Sequence, residues 1–347
     1  MTSFSTRMLE WYDRNARDLP WRVAPADSIA GVRANPYHVW LSEVMLQQTT
    51  VAAVKSYFAT FVSKWPDVFA MSRASEDDIM SAWAGLGYYS RARNLKKCAD
   101  LIVSEHGGQF PQTRSELIKL PGIGDYTASA IAAIGFGEAA PVVDGNIERV
   151  FARHGANSCS GPSLKQAARE FMQLTTPVER PGDFAQSLMD LGATICTPRN
   201  PACALCPVSG DCVSRTAGTV LDYPVKVAKK PKPLRRGAAF VARRNNGAVW
   251  LVRRPPKGLL GGMASFPTTE WSVSKDGDTG SQAAPCPAEW HHAGTVRHTF
   301  THFHLELEVW TALAKPEGEG WWSAGTEMDG AGLPTLMRNA WMLCSQN

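Results

Sequence analysis

Over the first two thirds of the chain, apolar residues recur at the spacing of one helical face. Asn35-Pro36 supplies an N-cap and a proline at the first helical position, and Val39, Trp40, Val44 and Met45 then follow on one side. After Gln47-Gln48-Thr49-Thr50 a second run carries Val51, Val54, Phe58, Phe61 and Val62 as far as Pro66. The same pattern predicts helices over 76–84, 91–105, 114–119, 125–135, 146–154, 163–174 and 183–192. Many helices joined by short connections imply an all-α domain. Beyond residue 236 the period drops to two. Segments 238–243 and 248–253 flank Asn246-Gly247, a hairpin signal, and His302–Val309 alternates polar and apolar as a half-buried strand does. The chain is therefore expected to be multidomain, with an all-α region over 1–225, a linker over 226–236 and an α+β unit over 237–347. No internal repeat is present.

Composition changes this picture little. Hydrophobic residues make up 44% of the 347 and charged residues 20%, as in soluble globular proteins. The N-terminal segment breaks every short apolar run with a charge, and the most apolar later stretch, Tyr126 to Val143, is interrupted by Gly135, Gly137, Glu138 and Pro141 before it reaches spanning length. A cytoplasmic, membrane-free protein is the expectation. The net charge of +4 is mild, but Lys226, Lys229, Lys230, Lys232, Arg235 and Arg236 crowd together around Pro231 and Pro233. Such a segment is stiff and extended, and serves equally as a solvated tether or as a surface that touches DNA.

Candidate chemistry lies in three places. Cys98, Cys159, Cys286 and Cys344 are scattered, whereas Cys196, Cys203, Cys206 and Cys212 fall within one loop broken by Pro198, Pro201 and Pro207. Four thiolates hold either an iron–sulfur cluster or a structural zinc ion; the single close pair, in place of two separated knuckles, favours a [4Fe–4S] cluster with a structural role. Second, Leu120-Pro121-Gly122-Ile123-Gly124-Asp125 sits between two helical runs, about 114–135. Gly122 and Gly124 would let backbone N–H groups approach a phosphate, as in a helix-hairpin-helix motif, although a plain turn between two helices uses the same residues. Third, two carboxylates have unlike settings. Glu43 stands among apolar neighbours in a helix, where burial would raise its pKa and suit it as an acid. Asp144 precedes Gly145-Asn146 at a helix start, where the dipole and free N–H groups would lower its pKa and keep it ionised. One acid and one anion is what cleavage of a glycosidic bond requires, while an ion-pair partner and an N-cap are the ordinary roles of the two residues.

These stretches occur in a recognisable order: Leu41–Thr49, Gly85–Arg93, the hairpin at 120–125, Val143–Asn146 and the four-cysteine loop. Together they resemble the endonuclease III superfamily, and within it the MutY-type adenine DNA glycosylases. The resemblance implies base excision repair on double-stranded DNA that carries adenine opposite 8-oxoguanine or guanine, by a monomeric, nucleoid-associated bacterial enzyme. Glu43 would protonate adenine N7 and later help activate water, and Asp144 would stabilise the oxocarbenium-like sugar. Tyr126 and Asn146 would support that pocket. Gln48 and Tyr88 would wedge into the duplex and assist extrusion of the base, and Thr49 would bind DNA beside them. Trp21, Arg22, Leu46 and Gln186 would line the adenine pocket. Residues 23–34 form a long inserted loop relative to the family.

The C-terminal unit is similar to the Nudix-like domain with which this family reads 8-oxoguanine. Arg253–Gly262 and Phe266-Pro267 carry that likeness, with Met263 where a bulkier segment is usual. No Arg-Glu-x-x-Glu-Glu box is present, so magnesium-dependent nucleotide hydrolysis is not expected. Phe300-Thr301-His302 stands where the family has a lesion-contacting Phe-Ser-His. The alternative function is a bifunctional endonuclease III-like glycosylase/lyase acting on oxidised pyrimidines. Its catalytic lysine follows the hairpin glycines, where this chain has Tyr126.

Overall fold

The computed structural model describes residues 3–226, 231–255, 258–328 and 330–345. Lys229 and Lys230 of the expected linker, and Pro256 and Lys257 of the Nudix-like stretch, lie outside the described residues. Contacts divide the chain into two units, Met1–Ala228 and Lys229–Asn347.

The first unit is built from helices, and several begin at a side chain that caps them. α1 (Phe4–Asn15) starts where the Ser3 hydroxyl accepts from the Thr6 N–H. α2 (Pro25–Ile29) follows, so the stretch expected as an inserted loop contains a helix of one turn, too short to show a period. α3 (Pro36–Leu46) is capped by Asn35, as the sequence predicts, and α4 (Val51–Lys64) by Thr50. Next come α5 (Val68–Arg73), α6 (Glu76–Ala82) and α7 (Ser90–His106). The pair α8 (Arg114–Leu117) and α9 (Asp125–Ile131) flanks the glycine turn. The predicted 125–135 helix is not uniform: past Ile131 it widens into a π-helical turn, Ala132–Phe136. α10 (Gly145–His154), α11 (Pro162–Thr175), α12 (Pro181–Thr194) and the short α13 (Val213–Thr216) complete the unit.

Two apolar clusters fill it. One gathers Trp40, Met45, Phe61, Trp83 and Leu95 around α3, α4 and α7. The other gathers Ile147, Phe184, Leu188 and Leu191 around α10 and α12. α3 is buried from Val39 to Met45, and α12 from Pro181 to Gly192. That all-round burial carries Ser42, Glu43, Gln186 and Asp190 inside along with the apolar residues, which is the condition for strong electrostatics.

The second unit is a mixed sheet. Its strands are β1 (Leu234–Arg243), β2 (Val249–Arg253), β3 (Ala264–Ser265), β4 (His291–Thr299), β5 (His304–Leu313) and β6 (Trp321–Ser323), in the order β3-β2-β1-β5-β4 with β6 beside β2. β1 begins three residues ahead of the expected domain start at 237, so the end of the basic stretch is strand rather than linker. β1 and β2 are antiparallel about Asn246-Gly247, and Gly247 takes φ +79°, a left-handed value that glycine tolerates. β1 and β5 pair in parallel along ten residues, from Leu234 with His304 to Arg243 with Leu313. The β5 residues Leu305, Leu307 and Val309 are buried and the Glu residues between them are half-buried, the alternation read from sequence. His302 falls outside that strand, in the turn before it, because the ladder begins only at His304. α14 (Thr335–Ser345) covers one face through Leu336, Met337 and Ala340. On the other, Trp250 packs against Trp322 and Phe240 against Trp290. Among the described residues no helix is long and apolar enough to cross a membrane.

Candidate functional site

A cavity of about 790 Å³ opens in the helical unit, within the range that holds small ligands. Residues predicted from distant parts of the sequence meet there. Trp21 and Arg22 come from the segment before α2, Glu43 and Leu46 from α3, Gln48 and Thr49 from the turn after it, Tyr126 from α9, Asp144 and Asn146 from the start of α10, and Gln186 from α12.

Glu43 is 6% exposed, and its Oε2 has no hydrogen-bond partner among the described residues. Burial raises its pKa from 4.5 to about 7; the Tyr126 hydroxyl and the more distant Arg22 pull it down in part, and the charge of Asp144 pushes it up. At neutral pH this carboxyl therefore holds its proton in a good fraction of molecules and has an oxygen free to deliver it.

Asp144 is the N-cap of α10. Its Oδ1 accepts from the Ile147 N–H at 2.7 Å and its Oδ2 from the Asn146 amide at 2.9 Å. The expected drop in its pKa is not what the structure gives: burial raises it, and the hydrogen bonds from Ile147 and Asn146 only offset that in part. A helix start in open solvent would lower the pKa, but this carboxyl is packed into a cavity wall, where desolvation outweighs two or three N–H donors. Capping and cavity-facing roles thus coexist in one side chain.

The other residues divide. Tyr88 is 48% exposed, so it is not a core aromatic, and Gln48 is exposed; both hold left-handed backbone, φ +48° and +58°. Tyr88 does not line the cavity. Gly122 has φ +77°, and a Cβ there would lie 2.6 Å from the Asn94 Cβ, so only glycine fits the turn. Gly124 is the N-cap of α9. Behind this turn Asp125 is paired with Arg114 and Arg169, which hold its carboxyl down at about 2.

Two supporting networks were not foreseen. Asp190, fully buried in α12, accepts from Arg17 Nε at 2.6 Å and from Arg22 Nη1 and Nη2 at 2.7 and 2.9 Å, which fixes Arg22 in the cavity wall. An aspartate between Met189 and Leu191 in a helical run was the available signal, since a buried charge must be paired. Arg149 donates to Asn146 Oδ1 at 2.8 Å and to the Cys196 carbonyl at 2.8 Å, joining the cavity to the cysteine loop.

Cys196, Cys203, Cys206 and Cys212 line one recess with Arg153, Arg215, Ile195 and Val220. They surround it instead of meeting at a point: among the described residues no three His, Cys, Asp or Glu side chains gather tightly enough for a single ion. An all-thiol donor set between apolar and cationic walls suits a thiolate-ligated [4Fe–4S] cluster, whose negative charge the arginines offset. Arg153, 2% exposed, stiffens the loop by donating to the carbonyls of Cys196, Thr197, Pro198 and Tyr223.

In the second unit Thr301 and His302 are exposed at the tip of the turn between β4 and β5, which is closed by the Phe300 N–H donating to the Phe303 carbonyl at 2.9 Å. Phe300 is the anchor of this turn, stacked on Phe303 with ring centroids 4.8 Å apart. Met263 is 3% exposed and part of the packing.

Comparison with known proteins agrees with this division. The chain matches the models of the HhH-GPD superfamily base excision DNA repair protein over residues 41–177, of the iron-sulfur binding domain of endonuclease III over 196–212, and of the NUDIX domain over 238–343. It is 38% identical to an adenine DNA glycosylase of Homo sapiens, covering 89% of this chain and 67% of that one. To the adenine DNA glycosylase of Buchnera aphidicola subsp. Schizaphis graminum it is 33% identical, covering 88% of this chain and 86% of the relative. Among solved structures, a thermostable thymine-DNA glycosylase is similar at 29% identity and a TM-score of 0.53, over 62% of this chain and 95% of that one. The extent of these matches, with Glu43 and Asp144 on one cavity and a four-cysteine loop on the same helical unit, makes the chain a member of the adenine DNA glycosylase family.

Proposed function

We propose that this protein excises adenine mispaired with 8-oxoguanine or guanine by hydrolysing its N-glycosidic bond. The observation that carries the reading is the buried, unpartnered Oε2 of Glu43, on a carboxyl whose pKa is about 7, in the cavity that Asp144 also lines. With adenine in the cavity, Glu43 gives its proton to N7, which turns the base into a neutral leaving group. Positive charge then develops on the sugar, and ionised Asp144, held by Ile147 and Asn146, stabilises it. The Glu43 carboxylate finally takes a proton from the attacking water. Trp21, Arg22, Leu46 and Gln186 shape the base pocket, and Tyr126 bears on Glu43 from α9.

Gly122 and Gly124 supply backbone N–H groups to a phosphate, and Thr301 and His302 contact the oxidised base of the opposite strand. A [4Fe–4S] cluster on the four cysteines keeps its loop folded. The enzyme acts as a monomer on double-stranded DNA. Domain limits follow the fold, with the glycosylase unit ending near 225 and the lesion-reading unit starting at β1.

A single-turnover assay tests the reading. Duplex with adenine opposite 8-oxoguanine should lose adenine and keep an intact strand, duplex containing thymine glycol should stay uncut, and borohydride should trap little covalent complex. Tyr126 is a phenol and forms no imine. Efficient trapping at the rate of base release, or cleavage of the thymine glycol strand, refutes it.

A further inference from the structure

Arg91 is 7% exposed and, among the described residues, makes no hydrogen bond to a carboxylate. Its Nη1 donates to the carbonyls of Val44, Met45 and Gln47 at 3.0, 2.8 and 2.6 Å. Its Nη2 donates to Thr49 Oγ1 and to the carbonyls of Leu86 and Gly87, each at 3.1 Å. The first set terminates α3, whose last carbonyls have no partner within the helix. A simple C-cap would stop there. This guanidinium instead spans two turns distant in sequence, and it pins the carbonyl immediately before Gln48 and the carbonyl immediately before Tyr88. Those are two of the five non-glycine residues with positive φ among the described residues. Both side chains are exposed, and Gln48 stands at the rim of the cavity that Glu43 lines. The guanidinium carbon also lies 5.5 Å from the centroid of the Tyr88 ring and 5.1 Å from that of Trp83, so it braces Tyr88 through the ring as well.

Left-handed backbone at a glutamine and a tyrosine persists only where the surroundings over-determine it. Five carbonyls and a hydroxyl converging on one planar, rigid donor fork do so, and the fork fixes the relative position of the two turns. Lysine could not replace it, because one ammonium offers three donors from a point.

We propose that Arg91 is a positioning residue that holds Gln48 and Tyr88 as one preset wedge, so that a base pair is opened by a rigid pair of side chains without ordering of loops on encounter. This rests on the excision reading above. Nothing in the role requires Arg91 to touch DNA or the reacting atoms.

The test compares Arg91→Lys with the unsubstituted protein on two substrates: a duplex with adenine opposite 8-oxoguanine, and a duplex in which the adenine faces an abasic site and needs little extrusion. A 2-aminopurine reporter beside the adenine reads base opening by fluorescence. Arg91→Lys should slow opening and single-turnover excision about tenfold or more on the paired duplex, and by no more than about twofold on the unpaired one, since opening a pair is the step relieved. Equal losses on both substrates would reduce Arg91 to general support, and no loss on either would remove the role; both overturn the proposal. If the variant is not recovered folded, hydrogen exchange on the unsubstituted, DNA-free protein decides. The Thr49 amide, bonded to the Leu46 carbonyl, and the Arg91 amide, bonded to the Tyr88 carbonyl, should be protected, whereas exchange at unfolded-chain rates overturns a preset wedge. Failure of the unsubstituted protein to excise adenine from either duplex sinks the excision reading, and the exchange result still reports on the wedge.

Discussion

The cavity of the helical unit and the turn between β4 and β5 are built on opposite plans. The cavity collects its groups from α3, α9, α10, α12 and two connecting segments, and its carboxyls are shifted mainly by burial. The turn is a single connection: Thr301 and His302 stand in water at its tip while Phe300 stacks beneath them on Phe303. Altering a proton affinity takes many elements excluding water together, and such a site costs stability. Presenting two side chains to a partner takes only a stiff turn. Chemistry and lesion reading should therefore respond to substitution separately and on different scales.

The largest effect should come from the cavity. Glu43→Gln should lower single-turnover excision by about 10²–10⁴-fold with duplex binding retained, because it removes the acid and no phosphate contact. Asp144→Asn should cost about 10²–10³-fold by deleting the anion. In the unsubstituted enzyme, excision should decline as pH rises through about 7, where Glu43 gives up its proton. Near-normal rates in either variant would erase the contrast between the two regions.

Next in size is the support behind the cavity. Asp190→Asn leaves Arg22, whose side chain is 8% exposed, without its buried counter-charge, and removal of one partner of such a pair costs about 3–5 kcal/mol. Denaturant unfolding should show that loss; an unchanged midpoint would mean that water reaches the arginines.

Glu43→Gln should also stabilise the fold at alkaline pH. The folded pKa of about 7 exceeds the ordinary glutamate value of 4.5, so the folded state retains a proton that the unfolded chain has released, and stability falls as pH rises across that window. The variant should gain on the order of 2–3 kcal/mol above pH 8 and about nothing at pH 4. A gain that is flat with pH would place the carboxyl in water.

Smallest is the turn. Alanine at Thr301 and His302 should reduce the preference for adenine opposite 8-oxoguanine over adenine opposite guanine by about tenfold, the scale of one or two polar contacts, with adenine opposite guanine cleaved as before. A matching fall on both duplexes would merge the two regions into one functional unit.

What could be read from sequence follows the reach of each signal. Local signals were dependable: Asn35-Pro36 marks the start of α3, Asn246-Gly247 marks the β1–β2 turn, and the four cysteines lie in one loop of seventeen residues, 196–212. β4 escaped notice because only Val296 of His291–Thr299 is buried, which leaves no alternation to detect. The convergence of Trp21, Tyr126 and Gln186 on Glu43 was legible only through family resemblance, since no periodicity relates them. Arg91 and Asp190 have partners more than forty positions away, and their roles emerge only from packing. The error at Asp144 has the same origin: the N-cap was visible in the sequence, but the packing that desolvates it was not.

The parallel pairing of β1 with β5 has a consequence in time. Leu234 finds its partner only at His304, across β2, β3 and β4, whereas each helix of the first unit closes its own hydrogen bonds within a turn. Pairings between residues so far apart form late, because the long loop between them must close first. During synthesis the helical unit, with both carboxylates in place, can be complete while the central ladder of the second unit still lacks one of its strands. A newborn chain thus completes the cavity of the helical unit before the sheet that carries Thr301 and His302, and the interval is set by the length of chain between those two strands.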